Sequence, residues 1–479
     1  MAQKIEMTLN SHHDYTLLAS ALALVSLGLS MVFISSTVMA NAQYQDPYFF
    51  VKRQTMYALL GMGVLVLGRS IDYHIYKRWV YWLLFLSLIG LILVFIPGLG
   101  SRVRGAARWI RLGGFTLQPS EFAKLAMVIF LAYSLSRKQE KMKYFAVGFL
   151  PHMVVAGVFI ALIGKEPDFG TAMTLAGIVF IMLLVGGTRL TYLLISICLG
   201  VPAAVVMVLR DPKKFSRVLS FLDPWKYGQD VGYQLKQSLL AIGSGGILGM
   251  GPGQSRAKLF YLPDAHTDFI LSIFSEELGL IGVILILALF TLLVYRGIRV
   301  SLRAPDSFGS YLALGLTLLI GLQACINIGV VTGMLPTKGL SLPFLSYGGS
   351  SLLVNLLAVG ILLNISTQLR RPVRMACPAL RRPKKRWTWL SDKNKSSVIL
   401  ITYNLNEHQA MGEAVMAQAV KGEGVIRLQI RAIFALRTRS RRGLITGPLT
   451  TRDHLPDLRT VELYSWGQNS FLDQAPLES

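Results

Sequence analysis

The sequence predicts an all-α polytopic membrane protein: a bundle of ten transmembrane helices with a large extracytoplasmic loop between the seventh and eighth. Three observations carry that reading. Of 479 residues, 53% are hydrophobic and only 15% are charged, with a mean hydropathy of +0.51. The apolar residues gather in runs of about the 17–25 residues that a bilayer-crossing helix requires. Strand-like alternation and repeats with periods of about 20–50 residues are absent, which argues against a β-barrel or a solenoid. A disordered chain would be less apolar and more charged. A nucleic-acid binder could share the net charge of +23, but it would not string its apolar residues into bilayer-length runs, so no nucleic-acid partner is expected. Cys198, Cys325 and Cys377 are too scattered to form a metal cluster or a disulfide framework.

The runs lie at roughly 17–37, 54–68, 80–97, 119–136, 144–163, 171–187, 190–209, 268–295, 308–333 and 350–369. The second and sixth are short and would depend on packing or local bilayer thinning. Val38-Met39-Ala40-Asn41-Ala42 resembles a signal-peptide cleavage site. The apolar run before it is longer than a usual signal core and Lys4 is the only basic residue ahead of it, so an uncleaved first helix is expected. An even number of crossings puts both termini on one side. Lys and Arg on the loops up to residue 370 do not by themselves place that side inside. Ten cations between Arg370 and Lys395 tip the balance, and both termini are assigned to the cytoplasm. The excess of positive charge left on the outer loops then calls for an anion on that face.

Three parts follow: a cytoplasmic segment 1–16, a helical domain 17–369, and a basic tail 370–479 with no apolar run, expected to be flexible. The loop at about 210–267 is long enough to be functional. Trp225, Tyr233, Phe260 and Tyr261 give it apolar anchors, and amphipathic helices lying on the membrane surface are expected there.

Ionisable residues at the rims of apolar runs are costly and mark candidate sites. Arg108 and Trp109 precede the fourth run and offer a guanidinium for phosphate and a ring for a sugar face or lipid tail; interfacial anchoring would account for them equally. Pro119 suits a first helical turn, and Glu121 and Lys124 share a helix face, either as a self-satisfied ion pair or as substrate ligands. Glu166 and Asp168 flank Pro167 at a helix start, where capping competes with a metal or substrate contact. Asp268 falls in the first turn of the eighth run, placed to act as a general base towards a hydroxyl. Glu276 and Glu277 lie about 12 Å deeper by helix rise, too far to share that task, and are expected to pair with Lys124 or with polar groups of other helices. Lys338, Ser346 and the Gly348-Gly349-Ser350-Ser351 turn read as a cradle for an anion, such as the phosphates of a lipid presented from the outer leaflet.

At these residues the chain resembles the SEDS family of bacterial shape, elongation, division and sporulation proteins. The resemblance rests on Asn327 through Ser351, ending in Ser-Tyr-Gly-Gly-Ser-Ser. It is supported by Arg108-Trp109-Ile110, Gln118-Pro119-Ser120-Glu121, Pro167-Asp168-Phe169-Gly170-Thr171, His266-Thr267-Asp268-Phe269 and Glu276-Glu277-Leu278-Gly279. It covers roughly residues 15–370 and not the tail, and Pro336-Thr337-Lys338-Gly339-Leu340 is similar to the division branch. The resemblance implies a ten-helix SEDS fold in the bacterial inner membrane and septal peptidoglycan glycosyltransferase activity. Lipid II and the nascent glycan strand would be its substrates. A class B penicillin-binding transpeptidase, other divisome proteins and membrane lipid would be its partners. By matched position, Asp268 is the family's catalytic aspartate, and Trp109, Glu121, Lys124 and Asp168 are tied to activity. Arg108, Lys124, Lys338 or basic residues of the 210–267 loop would balance leaving-group charge. No cofactor is required, and a divalent cation could assist the diphosphate although no ligand cluster demands one. A lipid II flippase, an elongation-type polymerase and a non-catalytic divisome scaffold are the alternatives.

Overall fold

In the computed structural model the described residues are 14–368, apart from 98, 104–105, 113–114, 211, 227–231 and 264, together with the backbones of five strands in the tail. Two units are present, 1–371 and 372–479. The first is helical. Its helices are α1 (Tyr15–Tyr44), α2 (Phe49–Ser70), α3 (Tyr76–Leu93), α4 (Pro119–Arg137), α5 (Leu150–Lys165), α6 (Phe169–Val185), α7 (Leu190–Leu209), α8 (Pro212–Leu222), α9 (Tyr233–Gly245), α10 (Ile270–Arg303), α11 (Ser307–Val331) and α12 (Gly349–Thr367).

Every predicted apolar run coincides with a helix. Among the described residues six helical stretches are long and apolar enough to cross a membrane: α1, Tyr73–Leu93 containing α3, Phe145–Lys165 containing α5, α10, α11 and α12. In α2 and α4 charged residues interrupt the apolar surface (Lys52 and Arg53; Glu121 and Lys124), while α6 is a shorter apolar helix. The 210–267 loop carries two helices as expected, α8 and α9. On α8 (Pro-Lys-Lys-Phe-Ser-Arg-Val-Leu-Ser-Phe-Leu) Phe215, Leu219 and Leu222 recur at helical spacing between basic and hydroxyl residues.

The ends of the helices are set by local chemistry. Asp14 caps α1 by accepting from Leu17 N at 3.1 Å, Pro119 occupies the first turn of α4, and Asp306 caps α11. α12 lies at the centre, nearly enclosed, and α11 is about two-thirds enclosed, whereas α3 turns Trp79, Tyr81, Trp82 and Phe85 outward. α12 packs closely on α2: a Cβ on Gly360 would stand 2.4 Å from the Leu65 carbonyl oxygen.

Two features depart from the sequence reading. The segment between α3 and α4 is a three-stranded antiparallel meander, β1 (Gly100–Val103), β2 (Ala106–Leu112) and β3 (Phe115–Leu117), a small sheet outside the all-α expectation. Its strands are too short to register as alternation; the punctuation at Arg104-Gly105 and Gly113-Gly114 is the signal that marks them. The second concerns α10, which is interrupted at Gly279, held at φ 64° and ψ −162°, a conformation that needs glycine. Loop 246–251 lies against the interruption. Met250 N donates to Glu276 O at 2.9 Å, Gly251 N to Glu277 O at 3.0 Å, and Leu280 N to Gly246 O at 3.0 Å.

At the end of the bundle where α10 finishes and α11 begins, Asp306 accepts from Tyr73 Oη at 2.5 Å and from Lys77 Nζ at 3.0 Å. Asn364 near the end of α12 bridges Tyr73 N at 3.0 Å and Arg69 O at 2.7 Å. In the second unit the described backbones are strands β4 (Trp387–Ser391), β5 (Ser397–Thr402), β6 (Ala414–Gly422), β7 (Val425–Ile433) and β8 (Glu462–Tyr464), paired in sequence order and antiparallel.

Candidate active site

At the other end of the bundle, five segments converge: the turn before α10, strand β2, the α5–α6 turn, the first turns of α4, and the loop 334–348 between α11 and α12. Asp268 lies two residues ahead of α10 rather than in its first turn. Partners outside the helix hold this stretch: His266 O accepts from Tyr347 N at 3.0 Å, and Asp268 O accepts from Asn327 Nδ2 at 2.9 Å. The His266 ring also packs on Phe50 of α2, centroids 4.7 Å apart, and on Tyr347 at 5.8 Å.

The half-buried Asp268 carboxylate and the Arg108 guanidinium meet over Gly339. A Cβ built on that glycine would lie 3.1 Å from Asp268 Oδ2 and 3.7 Å from Arg108 Nη1. Arg108, on β2, is held from behind by backbone oxygens, donating from Nε to Glu166 O at 3.0 Å and from Nη2 to Pro167 O. Its positive charge is therefore steadied by dipoles while Nη1 lies beside Gly339. Trp109 is half-buried and pairs in register with Ser101. Arg108 has no partner in that register: it is the extra residue of a bulge between Trp109, opposite Ser101, and Ala107, opposite Arg102.

Glu166, which follows α5, is fully buried, and neither of its carboxyl oxygens has a hydrogen-bond partner. Burial pushes its carboxyl up to about 8; the negative charge of Asp168 adds to the rise and Arg108 opposes it. Asp168 is the cap of α6: Oδ1 accepts from Thr171 N at 3.2 Å, and Oδ2 accepts from Thr171 Oγ1 at 2.8 Å and Gln118 Nε2 at 3.1 Å. Both of its oxygens are thus engaged by the chain itself, in the capping role.

Glu121 and Lys124 form the ion pair, 2.9 Å apart and buried. Lys124 also donates to Gln323 Oε1 at 2.7 Å, and Gln323 Nε2 donates to Ser341 O at 3.0 Å, so the pair supports the 334–348 loop from below. Lys338, next to Gly339, places Nζ 2.9 Å from Met173 Sδ, and burial pulls its pKa down. Ser346 is a fixture of the loop: Oγ accepts from Leu342 N at 2.8 Å and its carbonyl accepts from Gln54 Nε2 at 3.3 Å. Ser350 joins the loop to β3 and α4 through Gln118 N at 2.9 Å. Beside Phe50, the first turns of α2 carry a shallow, open and mostly apolar hollow lined by Val51, Lys52, Thr55, Met56 and Leu59.

Glu276 and Glu277 do not reach Lys124, whose Nζ is taken by Glu121 and Gln323. They anchor the 210–267 loop instead. Glu276 accepts from Ser255 Oγ, from Arg256 N at 3.0 Å and from Ala257 N at 3.2 Å, and Glu277 pairs with Lys258 Nζ at 3.1 Å. Sequence spacing could not separate the two outcomes, because the loop folds back by way of the break at Gly279. Gln54, Gln323 and Asn327 were not singled out as site residues, although polar amides inside otherwise apolar helices are the signal that marks them. Among the described residues no three His, Cys, Asp or Glu side chains are grouped to hold a metal ion.

A half-buried carboxylate can accept a proton from a hydroxyl, and a guanidinium converging on the same point can stabilise an anion that leaves. Fold and site together define a polytopic membrane protein with a carboxylate–cation centre at one end of its helical bundle. The family of FtsW/RodA/SpoVE cell cycle proteins matches residues 15–371, and the chain belongs to it. It is 48% identical over 367 residues to the probable peptidoglycan glycosyltransferase FtsW of Geobacter metallireducens, covering 77% of this chain and 98% of that one. It is 44% identical to the stage V sporulation protein E of Bacillus subtilis, covering 75% and 97%. Among solved structures it resembles a chain from work on the structural coordination of polymerization and crosslinking by a peptidoglycan synthase complex, with TM-score 0.62, 29% identity, and coverage of 75% of this chain and 99% of that one. It also resembles Thermus thermophilus rod shape determining protein RodA, with TM-score 0.56, 26% identity, and coverage of 75% and 98%.

Proposed function

We propose that this chain is a peptidoglycan glycosyltransferase that polymerises lipid II into β-1,4 glycan strands at the division septum. The observation that carries the reaction is the convergence of Asp268 Oδ2 and Arg108 Nη1 over Gly339. An acceptor-sugar 4-hydroxyl attacks the anomeric carbon of the donor. A new carbon–oxygen bond forms with inversion, the bond to the diphosphate oxygen breaks, and undecaprenyl diphosphate leaves with the electron pair. Asp268 takes the hydroxyl proton, and Arg108 and Lys338 balance the charge that develops on the diphosphate. The shallow apolar hollow on α2 suits a polyprenyl tail.

Helices coinciding with all ten apolar runs support ten crossings, and the ten cations between Arg370 and Lys395 support both termini in the cytoplasm, with the centre on the extracytoplasmic face of the inner membrane. Likeness to a chain of a peptidoglycan synthase complex supports a class B penicillin-binding transpeptidase as partner, with other divisome proteins around it. The relatives named FtsW support the division role over the elongation one. The charged groups of the centre gather at one end of the helices rather than in a file along them, which supports an enzyme over a flippase.

Incubating the purified full-length chain with labelled lipid II, with and without its transpeptidase, tests the reading. The wild type yields glycan strands on gels. Asp268→Asn folds and inserts as the wild type does and loses about 10²–10⁴-fold in rate. Strand synthesis by Asp268→Asn at the wild-type rate would remove Asp268 from the role.

A further inference from the structure

Asn327 stands on α11 one turn beyond Gln323, almost fully buried. Its Nδ2 donates to two backbone carbonyls from separate parts of the chain, Asp268 O at 2.9 Å and Leu340 O. An amide nitrogen has two hydrogens, and both are used. The opposite orientation of the amide would press its oxygen against two carbonyl oxygens, so the network fixes which way it points. Oδ1 is left buried with no partner.

That stranded acceptor is informative. A leucine of similar size would fill the space without burying an unpaired oxygen, so packing does not explain an amide here. The two bonds do. Leu340 follows Gly339, the residue over which Asp268 Oδ2 and Arg108 Nη1 converge. The nitrogen therefore ties together the two backbones that face each other across the carboxylate. One turn away, Gln323 fixes the next loop residue through Ser341 O at 3.0 Å, and residues four apart share a helix face.

We infer that Asn327 is a positioning residue for the glycosyl transfer, setting the Asp268 carboxylate against the Lys338–Gly339 edge of the loop by bridging the carbonyls of Asp268 and Leu340. The inference rests on Asp268 as the base. Asn327 touches neither substrate nor reacting atoms; it acts through the geometry of the carboxylate.

The test is steady-state lipid II polymerisation by the purified full-length chain carrying Asn327→Leu, Asn327→Asp, Asp268→Asn, Asp268→Glu, or Asp268→Glu with Asn327→Leu, with thermal melts of each. Asn327→Leu is expected to melt close to the wild type and to lose about 10–100-fold in kcat, as a displaced catalytic group does, with KM unchanged. Asn327→Asp regains a single donor only when its carboxyl is protonated, so its rate relative to the wild type rises as pH falls. In the Asp268→Glu background the leucine substitution adds no further loss, because the carboxylate is already displaced. Wild-type kcat in Asn327→Leu, a loss confined to KM, full multiplication of the two losses, or unfolding of both Asn327 variants would each overturn the inference while leaving Asp268 as the base. Normal polymerisation by Asp268→Asn would overturn both.

Discussion

Glu166 sits directly behind Arg108, and its raised carboxyl has a thermodynamic consequence. An unfolded glutamate titrates near 4.5, whereas this one is held up to about 8. Between those values the folded chain binds more protons than the unfolded one, so stability falls as pH rises through that window and is flat on either side. Glu166→Gln should flatten this slope and raise the melting temperature at pH 8 relative to the wild type, as thermal melts across about pH 4.5–8.5 will read. Gly339 offers a second check. A methyl there would stand 3.1 Å from Asp268 Oδ2, so Gly339→Ala should lower kcat/KM for lipid II by about tenfold, or ~1.4 kcal/mol, with the melt unchanged. Asp268, Arg108 and Lys338 were singled out in the sequence because an ionisable group at the rim of an apolar run is costly. Asn327 and Gln323 were not, because an amide in an apolar helix carries no charge, and its role depends on which distant carbonyls the fold brings to it. For Asp168 and Ser346 the structure adds what spacing alone does not show: both accept from the chain's own donors, Asp168 from Thr171 and Gln118 and Ser346 Oγ from Leu342 N.

Among the elements, α4 concentrates the energetic risk. Its Lys124 is fully buried and its charge is answered by Glu121 alone. Lys124→Met should destabilise the protein by about 3–5 kcal/mol, since Glu121 is left as an uncompensated buried charge. Adding Glu121→Gln should recover much of that loss, so the double variant should melt above the single one. The i, i+3 spacing made this pair readable, whereas its third partner, Gln323, comes from a helix almost two hundred residues later. The β1–β3 meander escaped for a different reason: strands of three to seven residues leave too little periodicity to separate from a loop. The missed meander also changes the setting of Arg108 and Trp109: they lie side by side at a bulge in β2 rather than ahead of a helix alone.

For the molecule as a whole, bilayer-length apolar runs were the most readable feature, since the cost of exposing backbone polar groups to hydrocarbon leaves few alternatives to helices. Orientation was less so, because the decisive cations follow the last run. The family match ends at residue 371 and the helical unit ends at the same residue. A chain stopped after Arg371 should therefore polymerise lipid II at the full-length rate, measured in the same gel assay. The break at Gly279 bears on what kinds of change the molecule tolerates. Carbonyls and amides on either side of it are answered by the backbone of 246–251. That short stretch behaves less like a surface loop than like a graft set into the trunk. Lengthening or shortening it by one residue would shift every bond of the seam out of step at once.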